Sequence, residues 1–151
     1  MSQTRWIAQG PESAPLVFLV EDDADLARCF QLFLQRGGFR TASAETASDG
    51  LDGIRTLRPA LAIVDLWLRS REGAALQSGA DLIRALGEDP ALRDLRVIVM
   101  TGDVPEPDQF GDRAVQFVAK AAAAADPTRL PDLVRRRLAS PPADRRAEAG
   151  G

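Results

Sequence analysis

The chain has 151 residues, 45% of them hydrophobic and 27% charged, which is enough for one domain with a single substantial core. Its 19 basic and 22 acidic residues give a formal net charge of -3, which excludes the strongly basic surface typical of nucleic-acid-binding proteins. The absence of histidine excludes a Ser-His-Asp triad, a histidine-ligated zinc site and a phosphohistidine within this chain. Arginine accounts for 18 of the basic residues, and Lys120 is the only lysine.

The N-terminal residues are polar except for the pair Trp6-Ile7, and they lack the apolar core of a signal peptide. We interpret residues 1–14 as an extension that precedes one domain at 15–139. No apolar run approaches the length of a membrane span, which predicts a cytoplasmic protein without membrane insertion. Cys29 is the only cysteine, so an internal disulfide is excluded, and we interpret it as a small buried core residue.

Four short apolar runs are typical of parallel strands that are buried on both faces. They are residues 16–20, 61–64, 97–100 and 115–119. A weaker run at 39–43 alternates between apolar and polar residues, which predicts a strand at an edge of the sheet.

Helical patterns lie between and after these runs, because apolar residues recur on one face of each segment. They span residues 24–36, 46–57, 80–86 and 127–138. The repeated alternation of strands and helices predicts an α/β fold, a doubly wound parallel sheet with helices on both faces. Residues 140–151 contain too few apolar side chains to pack, and we predict a disordered tail there.

Polar side chains follow the ends of four predicted strands, where doubly wound sheets bind their ligands. They are Glu21, Asp22, Asp23, Asp65, Thr101 and Lys120. Each has an ordinary structural explanation when taken alone. Asp23 or Asp25, for example, is explained as the cap of the next helix. Together they favour a site in which converging carboxylates bind Mg²⁺, or Mn²⁺ in its place. An aspartate in such a site is a candidate phosphoryl acceptor, with a hydroxyl and an ammonium group for the phosphoryl oxygens.

Four segments in this order resemble the receiver domains of two-component response regulators, the family of the chemotaxis receiver. They are residues 18–23, 63–68, 97–102 and 117–120, and the resemblance extends over about 14–139. It implies a flavodoxin-like, five-stranded sheet with strand order 2-1-3-4-5 and helices on both faces.

The resemblance also implies a role for each site residue. Asp65 is similar to the phosphoacceptor, Asp22 to the direct Mg²⁺ ligand and Glu21 to its water-mediated neighbour, while the carbonyl of Trp67 completes the protein ligands. Thr101 and Lys120 are expected to bind phosphoryl oxygens. Phe117 stands where the family has a rotating aromatic switch, although an ordinary core phenylalanine explains it equally well. The phosphoryl donor is expected to be a histidine kinase or a histidine phosphotransfer protein, because this chain has no histidine.

Three features depart from the family pattern. The loop 68–78 is long, and it either shapes partner choice, covers the site or is a neutral insertion. Segment 102–114 contains two prolines and two glycines inside the expected fourth helix, which excludes a regular helix there. Ala121 replaces the usual proline after Lys120.

These observations predict a single-domain response regulator, not an enzyme, that signals to an unknown downstream protein by direct contact and not to nucleic acid. One alternative is a pseudo-receiver, a binding module that no longer needs phosphorylation. The other is an Mg²⁺-dependent phosphohydrolase, which is disfavoured because Trp67 stands where that class has a second aspartate.

Overall fold

The computed structural model describes residues 6–69, 73–102 and 115–140. Its sheet consists of β1 (Leu16–Val20), β2 (Arg40–Ala44), β3 (Leu61–Asp65), β4 (Arg96–Thr101) and β5 (Gln116–Ala119). All neighbouring strands pair in parallel, and the order is β2-β1-β3-β4-β5. The predicted fold and strand order are therefore confirmed. The predictions for 103–114 and 141–151, and for residues 70–72 of the long loop, lie outside the described residues.

Within the described residues, five helices connect or follow the strands. They are α1 (Ala24–Arg36), α2 (Ala47–Leu57), α3 (Gly79–Glu88), α4 (Lys120–Ala125) and α5 (Arg129–Ala139), with a short 3-10 turn at Pro90–Leu92. Side-chain oxygens of Asp23, Thr46 and Ser78 accept backbone N–H groups at the starts of α1, α2 and α3. Asp23 is thus the helix cap that the sequence predicted. None of the described helices has the length and apolar character that crossing a membrane requires.

The core consists of two layers, one on each face of the sheet. Val17 and Leu19 of β1 pack with α1 and α5, whereas Phe18 and Val20 of the same strand pack with α2 and α3. Every residue of β1 and β3 is buried, as the continuous apolar runs predicted.

Two burial predictions were wrong. The run at 115–119 becomes β5 at the sheet edge, where Val118 is buried and the other three strand residues are exposed. Phe117 is 37% exposed, which does not fit an ordinary core phenylalanine. Cys29 is only partly buried, because the fully packed face of α1 is formed by Ala27, Phe30 and Leu34.

Residues before β1 pack against the domain. Trp6 is 8% exposed and contacts Phe18 edge to face, with ring centroids 6.4 Å apart. Gln9 forms an antiparallel bridge with Thr41 of β2, through two backbone hydrogen bonds of 2.8 and 2.9 Å. Gly53 of α2 makes room for this packing, since a Cβ there would overlap the Phe18 ring and lie 3.0 Å from Trp6.

Candidate functional site

Parallel strand register places the predicted site residues at one edge of the sheet. Val20 of β1 pairs with Val64 of β3, and Glu21 and Asp65 are the residues that directly follow this pair. Thr101 pairs with Ala119, which directly precedes Lys120 at the start of α4. At the carboxyl ends of these strands, β1 and β3 therefore each place an acid in the same region, β4 places a hydroxyl there, and β5 is followed by an amine.

Three carboxylates form the centre of this region. One oxygen each from Glu21, Asp22 and Asp65 lies within 4.8 Å of the others. The exposed fraction is 0% for Glu21 and 1% for Asp65. Their orientation is fixed locally, because the Asp23 N–H donates to Glu21 Oε2 at 3.0 Å and the Trp67 N–H donates to Asp65 Oδ1 at 3.0 Å. Burying two acids side by side is unfavourable unless a positive charge accompanies them.

Lys120 supplies a positive charge to both buried acids. Its Nζ donates to Asp65 Oδ2 at 2.7 Å and to Glu21 Oε2 at 3.1 Å, and it lies 2.8 Å from Glu21 Oε1. These partners are separated by 55 and 99 positions in the chain, so only the sheet brings them together.

The ionisation of the cluster reflects its burial. Burial raises the pKa of Glu21 to about 7, although hydrogen bonds from Lys120 and from the Asp23 backbone act in the opposite direction. Burial lowers the pKa of Lys120, but its hydrogen bonds to Asp65 and Glu21 outweigh that effect, so the pKa lies above its ordinary value. The Lys120 ammonium group therefore lies between two of the three carboxyl groups of the cluster.

This donor set fits a hard divalent cation. All three side chains offer carboxylate oxygens, which Mg²⁺ and Mn²⁺ prefer. Trp67 is 58% exposed beside the cluster, and Thr101 is 6% exposed at the end of β4.

Two further residues of the site were not predicted from the sequence. The Arg69 N–H donates to Asp22 Oδ2 at 2.8 Å, and Arg69 Nε lies 3.5 Å from the same oxygen. Gly79 begins α3 against the end of β3, where a Cβ would overlap the Asp65 carbonyl oxygen and lie 2.9 Å from Leu66 Cα. No residue spacing indicated either contact, because both depend on the path of the loop after β3.

Comparison with known proteins is consistent with this geometry. The family model of the response regulator receiver domain matches residues 17–126. The C4-dicarboxylate transport transcriptional regulatory protein DctD of Rhizobium meliloti is 35% identical over 115 residues, which are 74% of this chain and 23% of that protein. The chain thus spans about a quarter of the length of this curated relative.

Two solved structures share the fold. A response regulator from Chloroflexus aurantiacus superposes with a TM-score of 0.71 at 22% identity, covering 85% of this chain and 100% of that one. A sensor protein from Polaromonas superposes with a TM-score of 0.68 at 28% identity, covering 85% of this chain and 97% of that one.

Proposed function

Because this chain belongs to the response regulator receiver family, we propose that it accepts a phosphoryl group on Asp65 from a phosphohistidine. The donor is a histidine kinase or a histidine phosphotransfer protein. The observation that carries the proposal is the position of the Asp65 carboxylate, buried at the end of β3 between Lys120 and two further acids. Receivers are signalling modules, and the product is the modified protein itself.

The transfer exchanges one bond to phosphorus for another. A carboxylate oxygen of Asp65 attacks phosphorus, the P–N bond to the donor imidazole breaks, and its electron pair leaves with that nitrogen. Negative charge on the three equatorial oxygens must be stabilised during the transfer.

We assign the metal site to the carboxylates. Asp22 and Asp65 would hold Mg²⁺, or Mn²⁺ in its place, with Glu21 acting through water and the Trp67 carbonyl completing the protein ligands. The ion supplies positive charge beside the transferring oxygens when it is bound. The support from this chain is the oxygen-only donor set, three carboxyl groups that lie close together.

Lys120 and Thr101 are the proposed phosphoryl-binding side chains. Lys120 Nζ lies 2.7 Å from the carboxylate that would be modified, so a small movement transfers its hydrogen bond to a phosphoryl oxygen. Thr101 ends the neighbouring strand and offers a hydroxyl donor. The added charge then alters the surface that a downstream protein, in the cytoplasm, would contact.

The test is phosphorylation by a small-molecule donor, radiolabelled acetyl phosphate, in the presence of Mg²⁺. We expect label on the wild-type protein and none on Asp65→Asn, while Asp81→Asn on α3 serves as the matched control and is labelled normally. Equal labelling of wild type and Asp65→Asn would contradict the Asp65 assignment. A folded wild-type protein that takes up no label from acetyl phosphate or from a phosphorylated histidine kinase would favour a pseudo-receiver.

A further inference from the structure

Arg69 contacts the acidic cluster from the loop that follows β3. Both of its contacts fall on Asp22 Oδ2, the backbone N–H at 2.8 Å and Nε at 3.5 Å. The Asp22 side chain is 14% exposed and the Arg69 side chain 84% exposed. The guanidinium therefore lies on the solvent side of the acid, at the mouth of the carboxylate cluster.

The two contacts have different consequences for a cation. The N–H group is a neutral donor that orients the Asp22 carboxylate and leaves its charge intact. The guanidinium carries a full positive charge, so it competes with any cation for that carboxylate and repels it. Because the Arg69 side chain is mostly exposed, moving it away sacrifices little packing.

We propose that Arg69 is a competing counterion, which stabilises Asp22 in the metal-free protein and lowers the affinity of the cluster for divalent cations. The inference rests on the proposed function, since it presupposes that Asp22 binds the metal ion. It assigns the loop after β3 a role in setting the Mg²⁺ concentration at which the site fills.

Arg69→Ala separates the two contacts, because it removes the guanidinium and keeps the backbone N–H. Arg84→Ala is the matched control, since Arg84 also forms an ion pair with an aspartate, Asp81, at 3.3 Å, but on α3. Calorimetric titration with MgCl₂ should show about two- to fivefold tighter binding for Arg69→Ala, the range that an exposed ion pair supports. The Arg84→Ala variant should bind like wild type.

Two further readouts distinguish competition from a structural role. The affinity difference should shrink in 0.5 M NaCl, since salt screens the guanidinium charge. Urea unfolding should show Arg69→Ala less stable than wild type in EDTA, with the gap closing at saturating MgCl₂.

Each outcome bears on a different claim. If wild type binds Mg²⁺ and Arg69→Ala binds it equally or more weakly, this inference is overturned and the proposed function stands. If neither protein binds Mg²⁺, the metal site of the proposed function fails and this inference fails with it.

Discussion

At the residue scale, Lys120 forms hydrogen bonds with two acids, Asp65 and Glu21, that differ in their proposed roles. Asp65 is the proposed phosphoacceptor and would have to be available to a phosphoryl group, whereas Glu21 is fully buried and has a pKa of about 7. The ammonium group serves both acids at hydrogen-bond distance. Losing it would therefore affect stability as well as phosphoryl transfer, and the two effects can be measured separately.

We expect Lys120→Met to lower the free energy of unfolding by about 1–3 kcal/mol in EDTA at pH 7, measured by urea denaturation. Removing one partner of a fully buried ion pair costs more, but Lys120 is 25% exposed and Glu21 can bind a proton instead. Asp65→Asn added to Lys120→Met should recover part of the loss, because it removes a buried charge left unpaired. A Lys120→Met protein as stable as wild type would contradict this account.

The sequence predicted the location of some site residues but not all of the contacts between them. The sequence placed Glu21, Asp65, Thr101 and Lys120 at strand ends, because apolar runs have visible ends and parallel strands share an edge. It did not predict the contact of Arg69 with Asp22, 47 positions apart, because that contact depends on a loop without periodicity. The metal and phosphoryl roles stay predictions until the measurements above are made.

At the element scale, strands were easier to predict than the region around α4 and α5. The five alanines at 121–125 make every side of this segment equally apolar. Without a contrast between an apolar and a polar face, periodicity did not reveal that α4 begins at Lys120. The sequence predicts the last helix at 127–138, whereas α5 begins at Arg129, and the backbone N–H and hydroxyl of Thr128 just before it donate to the Asp126 carboxylate. The edge position of β5 was not visible in its composition, and this explains why its burial was overestimated.

The junction between β3 and α3 depends on a glycine. Gly79→Ala should lower the free energy of unfolding by about 1–3 kcal/mol, because the added Cβ overlaps the Asp65 carbonyl and must push strand and helix apart. Mg²⁺ binding should weaken as well, since Asp65 ends that strand. Gly102→Ala is the control, because no atom of the described residues lies within 4 Å of the Cβ it would add. Urea denaturation and calorimetry that fail to separate the two variants would refute the steric argument.

Asp89 links α2 to the 3-10 turn after α3 and gives a pH-dependent contribution. Its carboxylate accepts the Ala91 N–H at 2.9 Å and the Arg55 Nε–H at 3.2 Å, and these hydrogen bonds lower its pKa. A lowered pKa in the folded state contributes stability above the unfolded pKa, and that contribution is lost as the pH falls through the folded value.

Asp89→Ala should therefore destabilise the protein more at pH 7 than at pH 3, as measured by thermal unfolding at both values. Asp94→Ala, at an exposed aspartate in the same connection, is the control for removing a side chain there. A destabilisation by Asp89→Ala that is equal at both pH values would indicate that the carboxylate charge is not what matters.

At the scale of the whole molecule, the adjacent residues Trp6 and Ile7 have unequal structural importance. Trp6 is 8% exposed in the core layer of α2 and α3, whereas the neighbouring Ile7 is 74% exposed. We expect Trp6→Ala to lower the free energy of unfolding by about 3 kcal/mol, since a large ring is removed from a packed layer. Ile7→Ala should change it by less than about 0.5 kcal/mol. Urea denaturation followed by circular dichroism tests both, and a Trp6→Ala protein as stable as Ile7→Ala would contradict the assigned packing.

The bridge between Gln9 and Thr41 makes the N-terminal segment an intramolecular ligand of its own sheet. A short tether holds it at an effective concentration in the millimolar range, so a strand from another molecule must displace it before it can pair with β2 there. The backbone groups of Thr41 on that side are already engaged. Edge-to-edge association through this part of β2 is thereby suppressed, and cleavage of the segment would expose both a strand edge and the surface that packs against Trp6.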